Sequence, residues 1–381
     1  MRVLQFGRFH NEQQNGGVER HQQLLCKGLA ANGLDVVYLV ASADRQAHDE
    51  TVDGYRLIQA PSFGTLFSTA LSPAQVFKAL ALHKEKPFDV IHLHFPNPLA
   101  HLASMLFPAN VKRVITWHSD IVKQKRLLAL YRPFLQSVTR RADALIAATS
   151  AHYSSSTQIP KDIPHGKLRV IPFGLDFSSL ALTPHSDAVR NTLLSRANGQ
   201  AIIFALGRHV YYKGFDVLID AMQHIDAQLI LGGDGPLKGQ LQDQVDRLGL
   251  KNKISFTGSI EEADLPAYFH ACDVFCLPSV EQSEAFGLVQ LEAMACGKPV
   301  ICTQLNNGVN VLNVHGETGF AVPVRDSLAL ADRINQVLND PGLRLKLGEQ
   351  ARTRALQVYS LEANTQQHIQ LYQELTQFKM V

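Results

Sequence analysis

Residues 201–222, AIIFALGRHVYYKGFDVLIDAM, comprise a strand-like run, a loop and a helix-length segment. The opening run is short and apolar and lacks strict alternation, which is typical of a parallel strand covered on both faces. The loop after it contains glycines together with Arg208 and Lys213, and an amphipathic segment follows. This order of strand, loop and helix is the repeating unit of a parallel α/β sheet.

The same unit recurs along the chain, and each half contains enough strands for a sheet of its own. The predicted strands span residues 2–6, 35–40, 89–95, 113–118, 144–149, 168–173, 201–207, 227–233, 254–258, 274–279 and 299–303. The predicted helices after the last strand span residues 327–338, 342–356 and 360–378. We therefore predict an α/β protein of two Rossmann-like domains, each a doubly wound parallel sheet, that face each other across a cleft.

The polar stretch at residues 182–200 is the predicted linker. We place one domain at residues 1–184, a second at 185–359, and at 360–381 a helix that crosses back to the first domain. A chain of 381 residues has the length expected for two or three domains.

Composition excludes several classes of protein. Hydrophobic residues make up 46% and charged residues 18%, which argues against disorder. No apolar stretch approaches the roughly 20 residues of a spanning helix, and the opening MRVLQF resembles a strand rather than a secretory leader. The first 190 residues carry 21 basic and 14 acidic residues, and the rest carry 15 and 20. That asymmetry suggests different ligands for the two domains and is too mild for a nucleic-acid binder.

Cysteines and paired histidines are more typical of a core than of a metal site here. Cys272 and Cys276 form C-x3-C in an apolar run, so buried thiols are favoured over metal ligands. His92 and His94 form H-x-H at a strand end, where neutral core or cleft histidines are the preferred interpretation. The five cysteines, few and odd in number, are Cys26, Cys272, Cys276, Cys296 and Cys302.

Ligands of open parallel sheets bind outside the carboxyl ends of the strands, so the loops after strands carry the candidates. Gly16 and Gly17 precede a helix and either present free amides to an anion or form a tight turn. Gly7 is too far from Gly16 for a dinucleotide-binding fingerprint. Arg208 and Lys213 share one loop, where they either clamp phosphates or are ordinary surface charges.

The stretch EAFGLVQLE, which runs from Glu284 to Glu292, is the most informative motif. Eight helical residues span about 12 Å. The paired carboxyl groups of glycosidases lie only about 5–9.5 Å apart, so an acid–base pair is disfavoured. The spacing fits two ends of one long ligand, with one carboxylate on a sugar and the other on a ribose. Between them, the amides of Phe286, Gly287 and Leu288 could bind a diphosphate.

Residues 207–222 and 284–300 together resemble glycosyltransferase family 4, whose members are retaining transferases of GT-B fold that use nucleotide sugars and carry a Glu-x7-Glu motif. The resemblance extends to NGGVER near the N-terminus, TWHSD at 116–120, GDGP at 233–236 and HGETGFAVP at 315–323. It therefore covers almost the whole chain.

The resemblance implies roles for individual residues. The implied donor-binding residues are Gly16, Gly17, Arg208, Lys213, Gly233, Ser259, Ile260, Glu284, Phe286, Gly287, Leu288 and Glu292. The implied catalytic residues are Glu284, His118, Lys213 and Arg208. His118, Asp120 and Lys123 are expected on the acceptor side. By the same resemblance the acceptor attacks from the face of the leaving group, a donor phosphate oxygen takes its proton, and Glu284 positions the sugar.

No metal ion or other cofactor is expected, because the chain contains no Asp-x-Asp motif to bridge a diphosphate. Arg208, Lys213 and a helix N-terminus would stabilise the leaving group instead.

Residues 121–141 predict an amphipathic helix with an apolar stripe and a basic face. The basic residues are Lys123, Lys125, Arg126, Arg132, Arg140 and Arg141. The helix is either an ordinary half-buried one or a docking surface for anionic lipid headgroups.

Together these features predict a cytoplasmic enzyme, peripheral on the inner face of the membrane. It would transfer a hexose-type sugar from a UDP- or GDP-sugar, with a preference for GDP-mannose, to a glycan or lipid-linked acceptor. The setting would be the biosynthesis of bacterial surface polysaccharide, either lipopolysaccharide or capsule. A sugar-nucleotide epimerase and a non-catalytic nucleotide-sugar-binding protein remain alternatives, and the missing glycine fingerprint disfavours an oxidoreductase.

Overall fold

The computed structural model describes residues 1–9, 17–42, 45–66, 69–121, 125–150, 153, 156–284 and 286–377. The chain divides into two compact units. Unit 1 comprises Met1–Leu175 and Ser360–Val381, and unit 2 comprises Asp176–Tyr359. From the sequence, the first boundary was predicted at 184/185, and the C-terminal helix was predicted to cross back to the N-terminal domain.

Unit 1 is built on an eight-stranded sheet of order β10-β9-β8-β7-β1-β2-β4-β3. Its neighbours pair in parallel except β3 and β4, which are antiparallel. The strands, together with the short β5–β6 hairpin, are β1 (Arg2–Phe9), β2 (Asp35–Ala41), β3 (His48–Val52), β4 (Tyr55–Ala60), β5 (Thr65–Leu66), β6 (Thr69–Ala70), β7 (Val90–Phe95), β8 (Lys112–Trp117), β9 (Ala144–Ala147) and β10 (Leu168–Val170).

Helices cover this sheet, including one from the end of the chain. They are α1 (Gly17–Ala31), α2 (Pro73–Glu85), α3 (Pro98–Leu106), α4 (Lys125–Arg141) and, last in the chain, α13 (Leu361–Thr376). The α13 helix packs against α1, and its N-terminus is capped by Ser360, whose hydroxyl accepts from the Ala363 amide. The C-terminal segment thereby completes one face of unit 1.

Unit 2 contains a six-stranded, all-parallel sheet of order β13-β12-β11-β14-β15-β16. Its strands are β11 (Ile202–Leu206), β12 (Gln228–Gly232), β13 (Ile254–Gly258), β14 (Val274–Leu277), β15 (Val300–Thr303) and β16 (Gly319–Val322). Its helices are α5 (Pro184–Ala197), α6 (Phe215–Ala221), α7 (Lys238–Arg247), α8 (Leu265–Ala271), α9 (Val289–Ala295), α10 (Gly308–Leu312), α11 (Ser327–Asn339) and α12 (Pro341–Val358).

The central strands explain why the sheets lie inside. All six residues of β7 are buried, as are all four of β14 and all four of β15. Such strands bury apolar side chains on both faces and need helices above and below. The two sheets with their helices confirm the predicted α/β class of doubly wound parallel sheets.

Each predicted strand is present, with ends that differ by up to three residues. Strands β3 to β6 and β16 were not predicted from the sequence. Strand β3, HDETV, is mostly exposed at the sheet edge and therefore lacks an apolar signal. Strand β16, GFAV, is short and begins at a glycine, so it resembles a loop.

Candidate active site

The loops after β11 and β14 bring two predicted catalytic residues into contact in unit 2. The Lys213 Nζ atom lies 2.6 Å from the Glu284 Oε2 atom, and the side chains are only 11% and 10% exposed. The Ser279 hydroxyl donates to the same carboxylate oxygen at 3.0 Å. A desolvated, hydrogen-bonded ion pair at the carboxyl ends of parallel strands is positioned to meet a polar ligand.

Glycines allow these loops to approach each other. Gly214 has φ +66°, and a Cβ there would lie 2.1 Å from the Pro278 carbonyl oxygen. Gly233 has φ +103°, and a Cβ there would lie 2.1 Å from the Gly207 carbonyl oxygen. Any larger residue at either position would force the loops apart. The predicted donor residue Gly233 therefore packs against the loop that carries Arg208 and Lys213.

The segment around Glu284 is tied to the following strand and helix. The Asn307 side-chain amide donates to the Glu284 carbonyl at 2.7 Å, and the Thr303 hydroxyl donates to the Ser279 carbonyl. Gly287 has φ +60°, and a Cβ there would lie 2.4 Å from Leu277 Cδ2. These contacts fix the backbone at Glu284 and at Gly287, just before α9.

The remaining residues predicted to bind the donor differ in how far they are buried. Arg208, Ser259 and Leu288 are exposed. Ile260, Phe286 and Glu292 are half-buried, with Glu292 on α9. Gly17 begins α1, whereas Gly16 lies outside the described residues.

His118 follows β8 in unit 1 and belongs to a buried polar network that the sequence analysis did not foresee. Its Nε2 atom lies 3.0 Å from His94 Nδ1, and His94 Nε2 lies 2.9 Å from Gln5 Oε1. The Gln5 amide nitrogen donates to Tyr372 Oη at 3.1 Å. The Tyr372 hydroxyl in turn lies 2.6 Å from His92 Nδ1. The network thus joins β1, β7, β8 and α13.

Two further histidines surround these groups. The His21 ring centroid lies 5.8 Å from that of His118 and 6.4 Å from that of His368. His118 also stacks on Phe173 at 5.6 Å with an interplanar angle of 14°. Because these residues come from distant segments, including the C-terminal helix, only H-x-H at 92–94 signalled the cluster in the sequence.

Burial keeps four of these histidines, His21, His92, His94 and His368, neutral at ordinary pH. Desolvation lowers the pKa of His21, His92 and His94 well below the usual 6.5, and repulsion between the histidines lowers it further. Burial lowers the pKa of His368 to about 4, partly opposed by its hydrogen bond to the Asn364 carbonyl. The described residues contain no group of three or more His, Cys, Asp or Glu side chains arranged to hold a metal ion.

Of the other acceptor-side predictions, Asp120 is held within unit 1 and Lys123 lies outside the described residues. Asp120 accepts hydrogen bonds from Trp117 Nε1 at 3.0 Å and Ser156 Oγ at 2.6 Å. It also accepts from the Thr157 amide at 2.9 Å. Asp120 therefore ties the end of β8 to residues 156–157 within unit 1.

The cysteines are buried or half-buried, and α4 packs part of its surface into the core of unit 1. All five cysteines are free thiols, and Cys272 and Cys276 are buried, which raises the pKa of both. On α4, Leu135 and Val138 are buried in the core of unit 1. In the part of the chain that the structure describes, no helix has the length and apolarity required to span a bilayer.

Comparisons with known proteins give the family. Residues 194–354 match the model of glycosyl transferases group 1, and residues 15–179 match that of glycosyltransferase family 4. The chain is 32% identical to D-rhamnosyltransferase WbpZ of Pseudomonas aeruginosa over 94% of this chain and 92% of that protein. It is 28% identical to O-antigen chain mannosyltransferase C of Escherichia coli over the full length of both.

Superposition on a solved structure identifies the fold. Sucrose-phosphate synthase from Thermosynechococcus elongatus is 25% identical, covers 98% of each chain and superposes with a TM-score of 0.70. Two parallel-sheet α/β units with this likeness define a glycosyltransferase of GT-B fold. The chain belongs to glycosyltransferase family 4, of the group 1 type, as the motifs predicted.

Proposed function

We propose that this glycosyltransferase transfers a hexose-type sugar, with retention of configuration, from a GDP-sugar to a lipid-linked glycan during the assembly of bacterial surface polysaccharide. GDP-mannose is the favoured donor, and a UDP-sugar is the alternative. The buried pair of Lys213 and Glu284 carries the proposal, because it sets one cation and one carboxylate side by side at the ligand edge of the sheet. The relatives named for mannosyl and rhamnosyl transfer favour this donor and this setting.

The ion pair suggests how the donor would be held. The ammonium of Lys213 would bind the donor diphosphate together with the exposed guanidinium of Arg208, and Glu284 would accept hydrogen bonds from the sugar hydroxyls. Negative charge that develops on the leaving diphosphate would then be stabilised by these two cations. We propose that this reaction requires no divalent cation.

The same contacts favour a route without a covalent intermediate. The Glu284 Oε2 atom is engaged by both Lys213 and Ser279, and such a carboxylate is a weak nucleophile. We propose that the acceptor hydroxyl attacks from the face of the leaving group, that a donor phosphate oxygen takes its proton, and that Glu284 positions the sugar. Glu292 on α9 would hold the ribose hydroxyls.

Nucleotide release tests the reaction and its rivals. The purified protein would be incubated with GDP-mannose, UDP-glucose and other nucleotide sugars, with and without a lipid-linked oligosaccharide and with and without EDTA. Release of GDP that requires the acceptor and survives EDTA supports the proposal. Conversion of the donor sugar without an acceptor would indicate an epimerase, and binding without turnover would indicate a binding protein. Activity lost in EDTA and restored by Mg²⁺ would contradict the metal-independent route.

Two glutamate variants test the placement of the donor. Glu292→Ala should weaken binding of free GDP, whereas Glu284→Ala should leave GDP affinity intact and impair sugar transfer. Isothermal titration with GDP and with GDP-mannose separates the two effects. An equal loss of GDP affinity in both variants would show that the carboxylates do not bind opposite ends of one donor.

We also propose that α4 meets the anionic inner surface of the cytoplasmic membrane, where a lipid-linked acceptor would lie. Leu130 on this helix is 83% exposed, and Arg132 is exposed near it. Each basic residue near such a surface is worth about 1 kcal/mol. The protein should therefore co-sediment with anionic vesicles and not with neutral ones, and Lys125→Glu with Arg126→Glu should release it. Equal sedimentation with both vesicle types would leave α4 as an ordinary packed helix.

A further inference from the structure

Ser279 provides a buried hydroxyl at the ligand edge of the sheet of unit 2. It follows β14 and is 0% exposed. Its hydroxyl donates to the Glu284 Oε2 atom at 3.0 Å, and the Lys213 Nζ atom lies 2.6 Å from the same oxygen. A hydroxyl carries one proton, so this bond uses the whole donor capacity of Ser279. Because hydrogen bonds to charged groups are stronger than those between neutral groups, the contact restrains the carboxylate strongly.

The neighbouring strand holds Ser279 in place. The hydroxyl of Thr303, a buried residue at the end of β15, donates to the Ser279 carbonyl. The Thr303 carbonyl in turn accepts from the Asn310 side-chain amide at 2.9 Å. These bonds fix the backbone of Ser279, and one rotatable bond separates that backbone from the hydroxyl oxygen. Ser279 is therefore a donor whose position is set by the sheet.

Lys213 and Ser279 restrain Glu284 in different ways. The Lys213 ammonium has three protons on a flexible four-carbon stem, so it can bind the carboxylate and a second anion together. In the proposed function that anion is the donor diphosphate, and a cation that is shared between two anions does not fix the direction of either. The short Ser279 side chain has one proton and one direction. It therefore sets the orientation of the carboxylate, while the Asn307 amide holds the Glu284 carbonyl at 2.7 Å.

We propose that Ser279 is a positioning residue whose hydroxyl orients the Glu284 carboxylate towards the donor sugar. This use of Glu284 rests on the proposed function, in which the carboxylate binds the sugar and Lys213 binds the diphosphate. The contacts themselves all lie within unit 2. The Ser279 hydroxyl is accordingly needed to bind and transfer the sugar, and it is not needed to bind the nucleotide.

Substitution of Ser279 tests this division. Ser279→Ala removes the donor, and Ser279→Cys replaces it with a thiol, which is a weak donor. For acceptor-dependent GDP release from GDP-mannose, we expect Ser279→Ala to lower kcat about 10–100-fold, as when a hydrogen bond to a charged group is lost. The kcat of Ser279→Cys should lie between those of Ser279→Ala and the wild type. Isothermal titration should give the wild-type affinity for free GDP in both variants.

Thr318→Val is the matched control. Thr318 is buried in unit 2, and its hydroxyl donates to Asn313 Oδ1 at 2.8 Å and accepts from the Val314 amide at 2.8 Å. The variant removes a buried hydroxyl that does not bind Glu284, so it should lower the thermal midpoint and retain the wild-type kcat. If Ser279→Ala has the kcat of Thr318→Val, or if it loses affinity for free GDP, the positioning role of Ser279 is overturned.

A double-mutant cycle with Glu284→Ala separates this inference from the proposed function. Since Ser279 acts through Glu284, Ser279→Ala should weaken the binding of GDP-mannose in the wild-type background and have no further effect in Glu284→Ala. Isothermal titration of the four proteins with GDP-mannose measures this coupling. Additive losses in a wild-type enzyme that is active would overturn the role of Ser279 and leave the proposed function standing. A wild-type protein that releases no nucleotide from any nucleotide sugar would overturn the proposed function, and the role of Ser279 with it.

Discussion

The two units of this glycosyltransferase handle buried polarity in opposite ways. At the ligand edge of unit 2, Lys213 and Glu284 form a charged pair that is almost fully desolvated. Unit 1 instead buries neutral imidazoles, an amide and a phenol in one hydrogen-bonded chain. A charged pair retains the capacity to exchange partners with an ionic ligand, whereas a neutral chain only orients a group. In the proposed reaction, unit 2 would bind a donor that carries phosphates and unit 1 an acceptor that offers a hydroxyl, and the difference fits that division.

We expect acid to destabilise unit 1 more than unit 2, and this is the largest expected effect. The folded-state pKa values of His21, His92, His94 and His368 are lowered, so the unfolded state binds more protons once the pH falls below about 6.5. Their contribution to the free energy of unfolding is complete above that pH. It is lost as the pH falls towards their folded-state pKa values, and the folded-state pKa of His368 is about 4. Each such group costs about 1.4 kcal/mol per pH unit, hence about 5 kcal/mol per unit for the four.

The single tryptophan makes this measurable. Trp117 lies buried in unit 1, so its fluorescence during urea unfolding reports that unit. We expect its midpoint to fall steeply between about pH 6.5 and 5.5. His185→Gln in unit 2 is a control, because the His185 side chain is 66% exposed and lies outside the buried cluster. A Trp117 midpoint independent of pH over this range would show that the cluster is already charged or is open to water.

The charged pair of unit 2 gives the next largest effect. Lys213→Ala removes the ammonium that lies 2.6 Å from Glu284, and we expect turnover to fall about 10²–10³-fold, as when one stabiliser of developing charge is lost. Lys238→Ala is the matched control, because its ammonium pairs with Asp234 on the surface and should leave turnover nearly unchanged. Steady-state GDP release measures both. Equal turnover rates for the two variants would show that Lys213 has no role in the reaction.

The sequence predicted unit 2 better than unit 1, for a physical reason. The residues of the charged pair lie in motifs that can be identified locally, because glycines, a cation and a carboxylate occupy short loops after apolar strands. The network of unit 1 is built from Gln5, His94 and Tyr372, which are far apart in the chain and meet only after the sheet and α13 have formed. His92 and His94 were predicted as neutral core or cleft histidines, and they are buried and have lowered pKa values. Their partners could not be inferred, since a period of two in a strand says nothing about which helix covers it.

A third prediction tests whether α13 completes unit 1. Gly28 on α1 faces this helix, and a Cβ there would lie 2.1 Å from Thr365 Oγ1. Although alanine favours helices, we expect Gly28→Ala to lower the free energy of unfolding of unit 1 by about 1–3 kcal/mol through overpacking. Trp117 fluorescence during urea unfolding measures this change. Gly239→Ala on α7 of unit 2 meets open space and should stabilise by up to about 1 kcal/mol.

A second substitution at the contact between α1 and α13 identifies the cause. Thr365→Ala removes the atom that a Cβ at position 28 would strike, so the double variant should recover much of the loss. A double variant as unstable as Gly28→Ala alone would mean that the contact between α1 and α13 is not the source.

The smallest expected effect comes from a charged pair that water reaches. Arg56 and Asp49 form two hydrogen bonds of 2.8 and 2.7 Å at the edge of unit 1, which lowers the pKa of Asp49 and raises that of Arg56. The side chains are 37% and 41% exposed, so solvent screens the attraction that the Lys213 pair retains. We expect Arg56→Ala to cost about 0.2–1 kcal/mol near neutral pH, less in high salt, and less again below the unfolded-state pKa of Asp49 near 4. Urea unfolding at low and high salt measures this, and a salt-independent loss would indicate that the arginine acts through packing of its stem rather than through charge.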